Sequence, residues 1–171
     1  MTSRYVGRFA PSPTGELHFG SLVAAVASYA DAKSRNGSWL LRIDDIDQPR
    51  SVGGSSDSII ATLKAFGFQW DGPIRWQSER EHHYQTAIAN LRNQSLAYPC
   101  RCSRRQIEKT ARHGVEGLVY PGTCREWNGA GAEQVAIRML TKNVQITATD
   151  RITGDIAQNL EADIGDFIIF R

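Results

Sequence analysis

Apolar and polar residues along the first half of the chain follow an alternation of short extended runs and longer helical ones. Tyr5 to Phe9 reads as a strand by composition. The run "APSPTGE" then breaks regular structure, because Pro11 and Pro13 fix φ and Gly15 allows a turn. From about Leu17 to Ser34, "LHFGSLVAAVASYADAKS" places Ala and larger apolar residues at helical spacing, and Asn36-Gly37 stops it. "SWLLRI", Ser38 to Ile43, predicts a second strand, and "DDIDQPR" a loop beyond its C-terminal end. Strand, loop, helix, strand makes a βαβ unit with parallel strands and a right-handed crossover. Two helices follow. One runs from Ser55 to Phe66 after the flexible "SVGGSS". The other runs from Glu79 to Gln94, with Ser78 as N-cap and Glu81 completing a capping box.

The pattern then changes. Residues 97 to 128 hold all three cysteines and many basic residues. Residues 134 to 160 read as short strands, "VAIRML" and "VQITAT", with a turn at Thr153-Gly154. The last six residues, "DFIIFR", read as a buried strand cut off as it begins, which predicts that the chain is part of a longer protein. The expected class is therefore α/β, with a parallel sheet and an inserted α+β subdomain. Residues 1–96 form the first half of the main domain, 97–160 the insert, and 161–171 the start of a second half.

Length and charge narrow this little. A chain of 171 residues is one domain by prior, with room for a small insert. With 41% hydrophobic and 22% charged residues it has an ordinary globular composition. Its net charge of +2 permits a nucleic-acid partner without requiring one. No apolar run approaches a membrane span, and "MTSRYVGRFA" lacks the apolar core of a signal peptide. The expectation is a cytoplasmic monomer with no membrane partner. An odd number of cysteines in a reducing compartment points to thiols or metal ligands.

Candidate chemistry gathers in "RFAPSPTGELHFGSL", residues 8–22. In an open α/β sheet, ligands lie beyond the carboxyl ends of the strands, so residues 10–20 and 44–50 should face one crevice. The start of the helix offers unpaired N–H groups and a positive dipole end to an anion. Gly20 permits close approach there, and His18 can donate to a phosphate oxygen as charge builds. Arg8 can grip a carboxylate with two parallel hydrogen bonds. Asp44, Asp45 and Asp47 could meet an ammonium group or structural donors. Plainer readings stand beside these: His18 as a helix cap, and "RIDDID" as a solvated acidic turn.

"RFAPSPTGELHFGSL" resembles the first signature of the class I aminoacyl-tRNA synthetases, usually written His-Ile-Gly-His, in the form of the glutamyl branch. "LLRIDDIDQPR" resembles the second block of that branch, and "WDGPIRWQSER", followed by a Tyr, a third. Within the branch, "GELHFGSL" and "RIDDID" are more similar to the glutamyl-Q group, shortened paralogues without an anticodon-binding domain. The resemblance implies a Rossmann-like catalytic fold and ATP-dependent activation of glutamate, with Mg²⁺ accompanying ATP. It further implies glutamyl transfer to queuosine in the anticodon of tRNA(Asp). By matching positions, Arg8, Phe9, Ala10, Pro11, Ser12 and Asp44 would bind glutamate. Pro11, His18, Gly20 and Ser21 would meet ATP, with His18 and Gly20 at the reacting phosphates. Ser21 stands where the general motif has its second His. Asp44 stands where the family usually has Glu, which sets its carboxylate about 1.5 Å further back. The family's Lys-Met-Ser-Lys-Ser loop occurs nowhere in the 171 residues, so this chain alone is expected to be inactive or severely impaired.

"YPCRCSRRQ" and "YPGTCRE" bring Cys100, Cys102 and Cys124 into one region, three corners of a tetrahedral zinc site or three unrelated thiols. For a fourth ligand, common zinc chemistry favours His113. The resemblance favours Tyr120, since the glutamyl-Q group has Cys-x-Cys followed by Tyr-x-x-x-Cys. Such a zinc would be structural. Arg101, Arg104, Arg105, Lys109 and Arg112 could track a tRNA backbone or form a solvated face. Three other readings remain. One is the N-terminal part of an ordinary glutamyl-tRNA synthetase. Another is a non-catalytic module binding zinc, nucleotide or RNA. The last is a nucleotidyltransferase sharing the His-x-Gly signature.

Overall fold

A computed structural model describes residues 4–115, 117–131 and 135–171. Gln134, where the sequence places the start of its strand-rich stretch, lies outside them. The chain divides into two compact units, residues 1–84 and 85–171.

The first unit is the expected βαβ pattern. It contains β1 (Val6–Phe9), α1 (Phe19–Ser34), β2 (Ser38–Ile43), α2 (Ser55–Ala65) and β3 (Arg75–Trp76); α3 (Glu81–Asn93) begins at its end. The strands lie in the order β1-β2-β3, all parallel, with Arg8 opposite Leu40 and Ile43 opposite Trp76. Side chains alternate across a strand, and here the alternation sorts the two faces. Phe9, Trp39, Leu41 and Ile43 are buried against Ala25 and Ala32 of α1 and Ile59 and Leu63 of α2. Trp39 centres this core. Its ring stacks on Phe68 and meets the edge of Tyr29, and its indole N–H donates to Ser28 Oγ at 3.0 Å. A Cβ on Gly7 would sit 3.0 Å from the Ser28 carbonyl and 3.0 Å from Ala32 Cβ, so only glycine lets α1 lie this close to β1. The opposite sheet face carries Val6, Arg8, Leu40 and Arg42, exposed or half-buried.

Helix α1 has a second apolar stripe. Phe19, Val23, Val26 and Ala30, at helical spacing, are all exposed, while Leu22, Ala25, Tyr29 and Ala32 pack on the sheet. A helix apolar on both sides is the kind found between two layers.

Two local expectations change. Helix α3 starts at Glu81 after a 3₁₀ turn at Ser78–Arg80, and no capping box forms at Ser78. The reason is Asp45, which accepts from Ser78 N at 2.9 Å and Ser78 Oγ at 2.7 Å and so takes both groups the box would use. A capping box does form at Ser103 and Gln106.

The second unit holds β4 (Ala97–Cys100), α4 (Arg104–Glu108), β5 (Arg112–Gly114), β6 (Gly117–Val119), β7 (Ala136–Met139), β8 (Gln145–Asp150), β9 (Gly154–Asn159) and β10 (Ile168–Phe170). Strand β7 is the centre of an antiparallel sheet ordered β10-β7-β4; β5–β6 and β8–β9 are hairpins. "DFIIFR" therefore pairs with β7, through β10. The fully buried Asp166 pins this unit. Its carboxylate accepts from Arg125 at 2.7 and 3.0 Å, from Thr141 N and Oγ1 at 2.8 Å each, and from the Tyr98 hydroxyl. No helix among the described residues is long and apolar enough to cross a membrane.

Candidate functional site

The loop after β1 and the loop after β2 are tied together at the carboxyl ends of neighbouring parallel strands. Asp44 N donates to Pro11 O at 2.9 Å, and Val52 N to Pro13 O at 2.9 Å. Thr14 N turns back onto Ser12 O at 2.9 Å, and Gly15 takes φ of +143°, which a side chain would resist. Ala10, Pro11 and Ser12 thus lie beside Asp44, on backbone held by hydrogen bonds from both directions. Phe9 is different: it is buried on the α1 face of the sheet, in the core, so its side chain supports the loop from below.

Arg8 is exposed on the open face of β1. Arg42 and Asp44 stand two and four residues past Leu40, the partner of Arg8, so alternation puts all three side chains on the same face. Arg42 grips Asp44 in a bidentate pair, Nε to Oδ1 at 2.5 Å and Nη2 to Oδ2 at 2.9 Å. The bond to Asp44 raises the Arg42 pKa more than burial lowers it. The sequence reading missed Arg42, although its spacing of two from Asp44 on a strand is a same-face signal. A carboxylate has about four acceptor positions, so Asp44 keeps capacity for a second cation.

His18 is the N-cap of α1, which begins at Phe19. Its Nδ1 accepts from Ser21 N at 3.2 Å, and its Nε2 lies 3.1 Å from Ser21 Oγ. An accepting Nδ1 leaves the proton of a neutral ring on Nε2, so Nε2–H is the donor. The cap reading and the ligand reading are therefore compatible. The cap selects the tautomer, and the exposed Nε2–H can exchange the Ser21 hydroxyl for an anion. A Cβ on Gly20 would come within 3.2 Å of the imidazole, so this position keeps the ring free.

In the second unit, the Sγ atoms of Cys100, Cys102 and Cys124 lie within 4.8 Å of one another. Tyr120 Oη is 3.4 Å from both Cys100 Sγ and Cys102 Sγ, and Cys102 Sγ is 3.5 Å from Cys124 Sγ. A tetrahedral zinc with sulfur at about 2.3 Å and oxygen at about 2.0 Å has S···S edges of about 3.8 Å and S···O edges of about 3.5 Å. The four donors fit that size. The Cys124 N–H donates to Tyr120 Oη at 3.0 Å, orienting the phenol toward the sulfurs. Burial pushes the Cys100 thiol up, but the Tyr120 hydroxyl and then Arg138 outweigh it and hold the thiol below its ordinary value. Burial, with the neighbouring sulfurs, pushes the Tyr120 phenol well above its ordinary value while no cation is bound. His113 is exposed on β5 opposite Leu118 and is not part of this cluster. Arg101, Arg104, Arg105, Lys109 and Arg112 are all exposed. Arg101 lies over the Trp127 ring at 4.8 Å, and Arg112 bonds the Glu161 and Ala162 carbonyls.

Comparison with known proteins adds three findings. A family model described as tRNA synthetases class I (E and Q), catalytic domain, matches residues 5–171. A protein of Dechloromonas aromatica named glutamyl-Q tRNA(Asp) synthetase is 50% identical over 100% of this chain and 58% of its own length. One of the same name from Chromobacterium violaceum is 50% identical over 98% of this chain and 56% of its own. The chain thus spans somewhat over half the length of these relatives. Among solved structures, a glutamate tRNA ligase from Elizabethkingia meningosepticum, in complex with its amino acid, matches with TM-score 0.78 and 25% identity. That match covers 98% of this chain and 38% of the other.

Proposed function

Since this chain belongs to the class I tRNA synthetases of the glutamate and glutamine branch, within their catalytic domain, we propose that it is the part of a glutamyl-Q tRNA(Asp) synthetase that activates glutamate. The observation that carries this reading is the pair of stitched loops beyond β1 and β2, with Arg8, Asp44 and His18 around them. The names of the 50% identical relatives supply the substrate class.

Each residue has a role in that reading. Arg8 grips the side-chain carboxylate of glutamate, and the backbone of Ala10, Pro11 and Ser12 lines its seat. Asp44, held charged and oriented by Arg42, receives the ammonium group on its remaining lone pairs; one methylene less than the usual Glu is offset by that rigid grip. The reacting carboxylate of glutamate attacks the α-phosphorus of ATP and pyrophosphate leaves. The first-turn N–H groups of α1 at Phe19 and Gly20 and the His18 Nε2–H stabilise charge building on the phosphates. Pro11 and Ser21 border the same nucleotide, and Mg²⁺ enters with it as part of the substrate. The glutamyl group then passes to queuosine in tRNA(Asp). In the second unit, Cys100, Cys102, Tyr120 and Cys124 hold a structural zinc, which cross-links the chain between residues 100 and 124.

The test is glutamate-dependent exchange of labelled pyrophosphate into ATP without tRNA, using a protein of the relatives' length that contains these 171 residues. Exchange is expected, and Arg8→Ala is expected to abolish it. Exchange appearing only with tRNA(Glu) would point instead to an ordinary glutamyl-tRNA synthetase. ATP binding with no exchange under any condition would point to a non-catalytic module.

A further inference from the structure

Arg138 occupies a position where a sheet interior ordinarily takes an apolar residue. It stands on β7, the central strand, and is 5% exposed. Its Nη1 donates to the Asp166 carbonyl at 2.6 Å, and its Nε is buried with no hydrogen-bond partner among the described residues. A buried guanidinium is costly unless negative charge compensates it. The nearest buried carboxylate, Asp166, is already taken up by Arg125 through two bonds. What Arg138 does face is Tyr120, with its guanidinium carbon 3.8 Å from the ring centre. Tyr120 in turn touches the sulfurs of Cys100 and Cys102.

The argument continues from the zinc reading above. Metal ligands bind in their deprotonated forms. Three thiolates and a phenolate carry more negative charge than a divalent ion cancels, and this cluster is mostly buried. An excess of buried negative charge needs a fixed cation close by. Arg125, beside Cys124, is committed to Asp166, and Arg101 is exposed over Trp127. We infer that Arg138 is the counter-charge of the Cys100–Cys102–Tyr120–Cys124 site, a positioning residue that sets how tightly the site holds its metal. It acts through the Tyr120 ring and is not itself a ligand. The unpaired Nε and the unpaired excess charge then explain each other.

The experiment measures Zn²⁺ affinity of the 171-residue chain by competition with a chromophoric chelator, and the visible spectrum of the Co²⁺-loaded chain. Arg138→Gln keeps a donor for the Asp166 carbonyl but removes the charge. Its Zn²⁺ affinity should fall about 10- to 100-fold, the range seen when groups supporting metal ligands are removed. Arg138→Lys keeps the charge and should stay within about threefold of the parent. Thermal unfolding of the metal-stripped chains checks that both variants fold. An Arg138→Gln chain that folds and binds as tightly as the parent would overturn the inference. Equal losses in the Gln and Lys variants would also overturn it, because they would assign the effect to packing. If only the Lys variant folds, a loss of tenfold or more in it overturns the inference and retention supports it. A parent chain that binds neither Zn²⁺ nor Co²⁺ would instead overturn the zinc reading, and this inference with it.

Discussion

Replacing Asp166 by Asn should break the second unit more than any other single isosteric change. One oxygen accepts from Tyr98 and Arg125 Nε, and the other from Arg125 Nη2, Thr141 N and Thr141 Oγ1. Every neighbour is a donor. An amide can offer only one oxygen, so its NH₂ must point at donors whichever way it flips. Removing one partner of a buried ion pair costs about 3–5 kcal/mol; the low end applies because the Arg125 side chain is 34% exposed and can be hydrated. About 3 kcal/mol is a large share of the roughly 5–15 kcal/mol that holds a domain folded. Urea unfolding followed by circular dichroism reads the change, with Tyr98→Phe as a milder control at about 1 kcal/mol. The pH dependence has a fixed sign. Burial alone would raise the Asp166 pKa, but Arg125, Tyr98 and Thr141 outweigh it, so the carboxyl lies below its ordinary value. Its contribution is full above the ordinary carboxylate range and is lost as pH falls through the lowered pKa. The Asn variant should lose that part of the acid sensitivity. A loss of under about 1 kcal/mol for Asp166→Asn, or unchanged acid unfolding, would refute the reasoning.

Two further outcomes follow from the first unit. His18→Ala should cost about 0.5–2 kcal/mol through loss of the α1 cap, seen as a lower melting temperature, and should independently slow pyrophosphate exchange in the longer protein. His18→Asn should restore the stability without the exchange rate. Val23→Glu with Val26→Glu should shift the stability of the 171-residue chain by no more than about 0.5 kcal/mol per site, because both are half exposed. A large loss would mean that the second stripe of α1 is covered.

What was legible in the sequence was local. The βαβ unit followed from periodicity, and the pairing of loop 10–18 with loop 44–50 followed from the parallel-strand rule. The cysteine cluster followed from spacing, and Tyr120 joined it through the resemblance. What escaped was long-range. Asp45 and Ser78 are 33 positions apart, so the capping box at Ser78 looked available when its groups were already taken. Asp166 looked like the first residue of a strand, because its partners Tyr98, Arg125 and Thr141 are 68, 41 and 25 positions away. Arg138 looked like an outward-facing residue of "VAIRML", because nothing local says that β7 is a central strand. Arg42 could have been found, since it shares a strand face with Asp44.

The central claim is that this chain belongs to an enzyme that places glutamate on queuosine in tRNA(Asp). The direct measurement is transfer of labelled glutamate from ATP-dependent reactions of the longer protein to purified tRNA(Asp), with and without queuosine, followed by nuclease mapping of the label. The account predicts label only on the queuosine-containing tRNA, in the anticodon fragment, and none with Arg8→Ala. Label at the 3′ end, or equal label on tRNA lacking queuosine, would contradict it.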